Sequence, residues 1–219
     1  TKGHIRPTKI EYVPALYKIF DEVLVNAIDQ HTRLYNEWET AKTKVRRAKI
    51  NTVTKIDVNI DKSTGTIEVI NNGKGIDIVY MEEHNMYPPG LIFGVLLTGE
   101  NYDDEQLKTT GGKNGFGAKL ANIFSTEFTI ETVDDKRKLK YIQTFRDNMT
   151  VTEEPKIEKY TGESFTRVKF HPDYKRFNMT EMTDHIYSLF KKRAWDTAAW
   201  VGAGVQVSFN GEVIQENTF

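Results

Sequence analysis

The 219 residues, 38% hydrophobic and 28% charged, suit one soluble domain with room for a real core, and no Pro/Gly/Ser-rich linker divides them. A formal net charge of -1 offers nucleic acid or anionic lipid no global attraction, so any DNA contact has to come from a local patch. The lack of cysteine excludes disulfides and thiolate metal sites; no apolar run is long enough to span a membrane, and Thr1–Lys9 is no signal peptide. The expectation is a soluble intracellular piece of a longer protein, with no membrane partner.

From Pro14 to about His31, Leu16, Ile19, Phe20, Val23, Leu24 and Ala27 recur at helical spacing, with Pro14 suited to a first turn. Tyr35 to Asn51 is polar and reads as a loop or a short exposed helix. It holds Lys42, Lys44, Arg46, Arg47 and Lys49 with no acid after Glu39, a pattern more often a solvated surface than a DNA contact. Ile56, Val58 and Ile60, a turn at Lys62–Gly65, then Ile67 and Val69 predict a hairpin that stops at Asn71-Asn72-Gly73-Lys74-Gly75. Pro88-Pro89-Gly90 precedes an apolar helix, Leu91 to Leu97, and a polar loop runs from Thr98 to Gly112. A second glycine cluster leads into a helix over Ala118–Phe124.

Four strand-like runs follow, Glu127–Val133, Leu139–Arg146, Met149–Thr152 and Ser164–Phe170, and then a helix from Met179. Val205–Phe209 with Asn210-Gly211 reads as a strand entering a hairpin turn. Helices interleaved with hairpin-linked strands predict an α+β fold, a two-layer sandwich of one mixed, mostly antiparallel sheet with helices on one face.

Three features can carry chemistry. Glu22, Asn26 and Asp29 fall within a stripe about 60° wide bordering the apolar face of the first helix. An amide oxygen there can ligate a hard cation such as Mg²⁺, and a carboxylate one turn away can orient and deprotonate a water. Lys18, one turn before Glu22, is placed to keep that carboxylate ionised. Asn71-Asn72-Gly73-Lys74-Gly75-Ile76 ends a strand with two glycines that let the backbone turn against a flat ligand and an amide that can pair with a purine edge. Gly111 to Leu120 runs into a helix, where converging N–H groups and the helix start suit phosphate. Its Gly112, Gly115 and Gly117 reverse the dinucleotide fingerprint, and Lys119 followed by Leu120 is no Walker loop. Each feature alone is more often structural.

In this order the three resemble the motifs of the GHKL ATPase superfamily, which has the Bergerat fold and includes gyrase, MutL, the ninety-kilodalton heat-shock chaperone and sensor histidine kinases. Within it, Ile19-Phe20-Asp21-Glu22, Leu24-Val25-Asn26-Ala27, Asn71 to Ile76, Asn101-Tyr102-Asp103-Asp104, Thr110 to Lys119 and Asn122-Ile123-Phe124-Ser125-Thr126 are similar to the eukaryotic and large-virus type II topoisomerase branch. The likeness covers nearly the whole chain.

The resemblance implies ATP and Mg²⁺ as cofactors, with Glu22 as general base and Asn26 as metal ligand. It places Asn71 at the adenine edge beside Gly73 and Gly75, Asn101 by the ribose and phosphates, and Thr166 near the adenine through water. Gly112, Lys113, Asn114, Gly115, Phe116, Gly117, Ala118 and Lys119 would wrap the triphosphate, with Lys119 a catalytic cation. It further implies a single ATPase domain over residues 1–219, homodimerisation on ATP binding, and DNA as partner through the full-length enzyme. The N-terminal arm, transducer and DNA-cleavage domains would lie elsewhere, leaving this piece a weak ATPase alone. Localisation would be nuclear in a cell, or host cytoplasm or nucleus for a virus. Gly99 and Glu100 stand where the branch carries serines, Asp77 replaces a usual proline, and the longer basic segment points to a viral or divergent source. The alternative is a GHKL chaperone or mismatch-repair clamp.

Overall fold

The computed structural model describes residues 7–95 and 117–215. Two antiparallel blocks meet in one sheet. β1 (Lys55–Asp61) and β2 (Thr66–Asn72) form the expected hairpin, with Ile56 opposite Asn71. β3 (Ser125–Asp134), β4 (Leu139–Arg146) and β7 (Phe165–Pro172) form the second block, and β7 lies between β3 and β2. β8 (Gln206–Phe209) adds to β1 in parallel and turns through Asn210 and Gly211, both at positive φ, into β9 (Glu212–Val213). With β5 (Val151–Thr152) and β6 (Lys156–Lys159), the order is β5-β4-β3-β7-β2-β1-β8-β9, with β6 also on β4. The sheet is mixed and mostly antiparallel, as expected.

Alternation decides which face is covered. Ile56, Val58, Ile60, Ile67, Val69, Phe128, Ile130, Val168 and Phe170 are buried in one cluster with the helices. The opposite face carries polar pairs, Asn59 with Glu68, Arg167 with Glu131 and Thr129 with Thr144. On the apolar face lie α1 (Pro14–Thr40), α3 (Pro88–Gly94), α4 (Gly117–Ile123) and α5 (Asp184–Val201). α1 and α5 are clamped together by stacked Phe20 and Phe190, 4.2 Å between centroids, and by Arg193 donating to Asp21 at 2.6 Å.

Five elements depart most from the sequence expectation, among them α3, which runs Pro88–Gly94 rather than Leu91 to Leu97 because the prolines fit its first turn and Val95 is already extended. α1 runs to Thr40 rather than ending near His31, because Leu34 is still buried and Tyr35 stacks on Trp38; α2 (Lys44–Arg47) follows as the short exposed helix. β5 is only Val151–Thr152, since Asp147, Asn148 and Met149 take left-handed φ of 51°, 59° and 66°. β6 (Lys156–Lys159) is an additional strand on the edge of β4, hidden by its exposed, charged residues. α5 begins at Asp184, where the Thr183 hydroxyl accepts from Ile186 N–H, rather than at Met179. Among the described residues no helix is long and apolar enough to cross a membrane.

Asp134, its side chain fully buried at the end of β3, ties the segment after β2 to the sheet. It accepts from Ile78 N–H at 2.8 Å, from Lys136 and Arg137 N–H at 3.1 Å each, and from the Arg137 guanidinium at 2.7 Å. Burial works against this carboxylate. The hydrogen bonds from Ile78 and Arg137 outweigh it and hold its pKa below the usual aspartate value. Asp134→Asn is expected to lose about 2 kcal/mol of stability at neutral pH. A carboxylate whose pKa is lower folded than unfolded stabilises above the unfolded value, so the gap between the proteins should close as pH falls below about 4. Urea unfolding across that range measures both.

Candidate functional site

The polar flank of α1 borders an open cavity of about 720 Å³, within the usual range of roughly 300–1,000 Å³ for small-molecule sites. Asn26 and Asp29 line it from the helix, Asn71, Gly75 and Thr166 from the sheet side, and Ala118 from the start of α4. Burial of Leu16, Ile19, Phe20, Val23, Leu24, Ala27 and Ile28 sets the rotation of α1 and so aims this flank.

The sheet wall is a row across three strands. Asn71 on β2 is opposite Thr166 on β7, and Thr166 is opposite Thr132 on β3. Thr132 and Thr166 share a hydroxyl contact of 3.0 Å, and Thr132 Oγ1 accepts from Ile76 N–H at 3.0 Å. Asn71 is nearly buried; its Nδ2 donates to Asn72 O at 3.0 Å, which leaves the amide oxygen and a second N–H for a ligand. The glycines have separate reasons. Gly73 holds φ of 90° and lies against the Thr52 backbone, whereas at Gly75 a Cβ would overlap the Val133 carbonyl. Gly75 therefore serves close packing of loop on strand in addition to lining the cavity.

Glu22 stands beside the cavity rather than among the residues that line it. It is ion-paired with Lys18, one turn earlier, and the Glu22 contact is the first cause of the raised Lys18 pKa. Lys18 is largely exposed, so this pair orients Glu22 more than it stabilises the fold. The carboxylate fills the space over Gly117, where any Cβ would overlap Oε2. A Cβ there would push the Glu22 carboxylate out of this position, a constraint the phosphate-loop reading does not include. Lys119 is 2% exposed, is not among the cavity-lining residues, and has its ammonium pKa lowered by burial. Asn101, Gly112, Lys113, Asn114, Gly115 and Phe116 lie outside the described residues.

Gln30, Arg33, Asn36 and Lys74 also line the cavity and were not anticipated. Gln30 Nε2 donates to Lys74 O at 2.7 Å and Arg33 Nη2 donates to Gln30 Oε1 at 3.0 Å, joining helix to loop. The signal was available: with α1 carried past His31, Arg33 falls about 20° from Glu22 on the helical wheel, inside the same stripe. Arg33 Nε is buried with no hydrogen-bond partner among the described residues, a donor that a polar or anionic ligand would satisfy.

These residues fit a nucleotide: an amide edge and hydroxyl at the sheet, an orphaned guanidinium N–H, and a helix start at Ala118. Among the described residues no group of three or more His, Cys, Asp or Glu could hold a metal. That fits Mg²⁺ only in the form it commonly takes beside phosphates, with few protein ligands and the remainder from water and phosphate oxygens.

Comparison with known proteins decides the family. The model for histidine kinase-, DNA gyrase B-, and HSP90-like ATPases matches residues 11–175. The chain belongs to this family. It is 47% identical over 211 residues to DNA topoisomerase 2 of Acanthamoeba polyphaga mimivirus and equally to that of Arabidopsis thaliana, so identity does not separate viral from cellular relatives. Both matches cover 96% of this chain but only 15% and 13% of the relatives. The ATPase region of Saccharomyces cerevisiae topoisomerase II superposes with a TM-score of 0.81 at 42% identity, over 97% of this chain and 52% of that one. The Thermus thermophilus gyrase B ATPase domain, at 22% identity and a TM-score of 0.66, shares the fold.

Gly117→Ala is expected to push the Glu22 carboxylate aside and lower ATP turnover by about 10²-fold, the scale of a 1 Å misplacement. Nucleotide affinity should fall far less, which calorimetry with a non-hydrolysable analogue can show. Loss of affinity equal to the loss of turnover would place Gly117 at the phosphates instead.

Proposed function

We propose that this chain is the ATP-binding and ATP-hydrolysing domain of a longer type IIA DNA topoisomerase, in which nucleotide-driven dimerisation of two copies is coupled to passage of one DNA duplex through another. The observation that carries the ATPase half is the facing of the α1 polar flank and the Asn71–Thr166 row across one cavity. The topoisomerase half rests on the match to topoisomerase 2 proteins over 96% of this chain.

In this reading residues 1–219 form one domain. The adenine edge meets the free amide atoms of Asn71, with Thr166 and Thr132 bounding the base. The triphosphate extends toward Asn26 and Ala118, enclosed by Gly112 to Phe116, with Asn101 by the ribose and phosphates. Mg²⁺, ligated by the Asn26 amide oxygen, would neutralise charge on the phosphates. Glu22 holds and deprotonates the attacking water, kept over Gly117 and oriented by Lys18. Lys119 is the proposed cation on the γ-phosphate. Burial lowers its pKa from the ordinary lysine value, and a phosphate opposite it would favour the charged form. A second cation and a cover over the nucleotide would come from the following domain and the partner's arm, so this chain alone binds ATP and turns it over slowly. DNA is engaged by the full-length enzyme, in the nucleus of a cell or in the cytoplasm or nucleus of an infected host.

Glu22→Gln in the full-length protein should leave ATP affinity within a few-fold and lower hydrolysis by about 10²–10⁴-fold, the usual contribution of a general base. Steady-state turnover alongside analogue binding gives the answer; near wild-type turnover would remove Glu22 from the role.

A further inference from the structure

Beyond the cavity, α1 and α2 build a basic knob that nucleotide chemistry does not use. α1 continues to Thr40, and the chain enters α2 with the Thr43 hydroxyl accepting from Arg46 N–H at 3.1 Å. Lys42, Lys44, Arg46, Arg47 and Lys49 are all exposed here, and none is ion-paired with an acid among the described residues. Several other surface cations are matched, Arg146 with Glu127 and Glu153, Lys140 with Glu131 and Glu158, Lys192 with Asp196, and the knob is set apart by five unpaired cations within eight residues.

The knob is also anchored. Leu34 and Ala41 are buried and Ile50 packs on the core. Tyr35 stacks on Trp38, Arg47 lies 5.1 Å over the Trp38 ring and donates to Glu39 O at 3.0 Å, and Lys74 N–H donates to Asn51 O at 2.9 Å. Holding like charges together on a fixed frame is unfavourable in the free protein, and a polyanion relieves it.

We propose that this knob contacts the phosphate backbone of duplex DNA. The choice of polyanion rests on the topoisomerase reading above; the unpaired, anchored cations do not. A single strand would need aromatic faces for its bases; Tyr35 and Trp38 are exposed in part, but they stack on each other and Arg47 lies over the Trp38 ring. A membrane surface would need an apolar face to bury, and α2 is four residues long with Val45 its one aliphatic side chain. Duplex DNA presents about one negative charge per 1.7 Å of axis and requires only cations. Because α1 is continuous, the knob and Asn26 sit on one rod: Trp38 is about 18 Å along the axis from Asn26. Bound DNA would lie near the mouth of the nucleotide cavity.

The test is fluorescence anisotropy of a short labelled duplex titrated with this chain across a salt series. It compares the unaltered chain with a variant carrying Lys42→Gln, Lys44→Gln, Arg46→Gln and Lys49→Gln. Arg47 is spared because it packs on Trp38. Each phosphate contact adds about 0.9 to the slope of log affinity against log salt, so the variant should lose about 2–4 from that slope and bind at least about tenfold more weakly at low salt. A companion variant with Lys42→Arg, Lys44→Arg, Arg46→Lys and Lys49→Arg should keep the slope. If the fourfold Gln variant fails to fold, the pairs Lys42→Gln/Lys44→Gln and Arg46→Gln/Lys49→Gln should each lose about 1–2. An unchanged slope overturns the proposal, as does tighter binding to a single strand or to anionic phospholipid vesicles than to the duplex. Analogue affinity measured on the same samples separates the readings. Lost DNA binding with intact nucleotide binding concerns the knob, whereas an unaltered chain that binds no nucleotide defeats the proposed function.

Discussion

Burial of the α1 apolar stripe against the sheet is the constraint on which the site depends. Leu16, Phe20 and Leu24 are fully buried, and Ile19, Val23, Ala27 and Ile28 nearly so. Each large side chain among them contributes about 1.5–3 kcal/mol on burial, so a rotation of one residue, 100°, would forfeit several such terms together. The polar flank has no such stake of its own. Asn26, Asp29 and Arg33 face the cavity, with Glu22 beside it, because the core allows α1 one rotation. Asp29 stands exposed at the rim with its pKa raised, first by desolvation and then by the charge of Glu22.

The opposite wall is fixed by strand register rather than by a helix. β2, β7 and β3 bring Asn71, Thr166 and Thr132 into line from residues almost a hundred apart in the chain. The segment from Gly73 to Ile78 is then fastened twice to β3, by Thr132 to Ile76 N–H and by Asp134 to Ile78 N–H. Gly75 permits that approach. A nucleotide would thus lie between a helix that cannot turn and a loop that cannot lift, which favours a preformed base site.

Much of this was legible because it depends on local pattern. The apolar period of α1 fixed its inward face, and the strict alternation of Ile56 to Ile60 and of Ile67 to Val69 marked the hairpin. Asn71 and Thr166 are brought together by long-range pairing, and only the family resemblance linked them. The end of α1 was misplaced because its last turns are held by an aromatic stack and by Leu34, with no continuing apolar stripe to count; Arg33 was missed for that reason, and Gln30 because it falls outside the polar stripe. β6 was missed because an edge strand with exposed charges shows no hydrophobic period. Thr132 carries no motif, and its role exists only through contacts with β7 and the loop. The contact between Gly117 and Glu22 joins α4 to α1 and has no local signal either.

The most direct measurement is a crystal structure of this chain with Mg²⁺ and a non-hydrolysable ATP analogue. The account predicts the adenine edge on the Asn71 amide, a Mg²⁺ ion on the Asn26 oxygen, and the γ-phosphate end of the analogue toward Glu22 and Gly117. A base seated at the Glu22 end, or a metal held without Asn26, would contradict it.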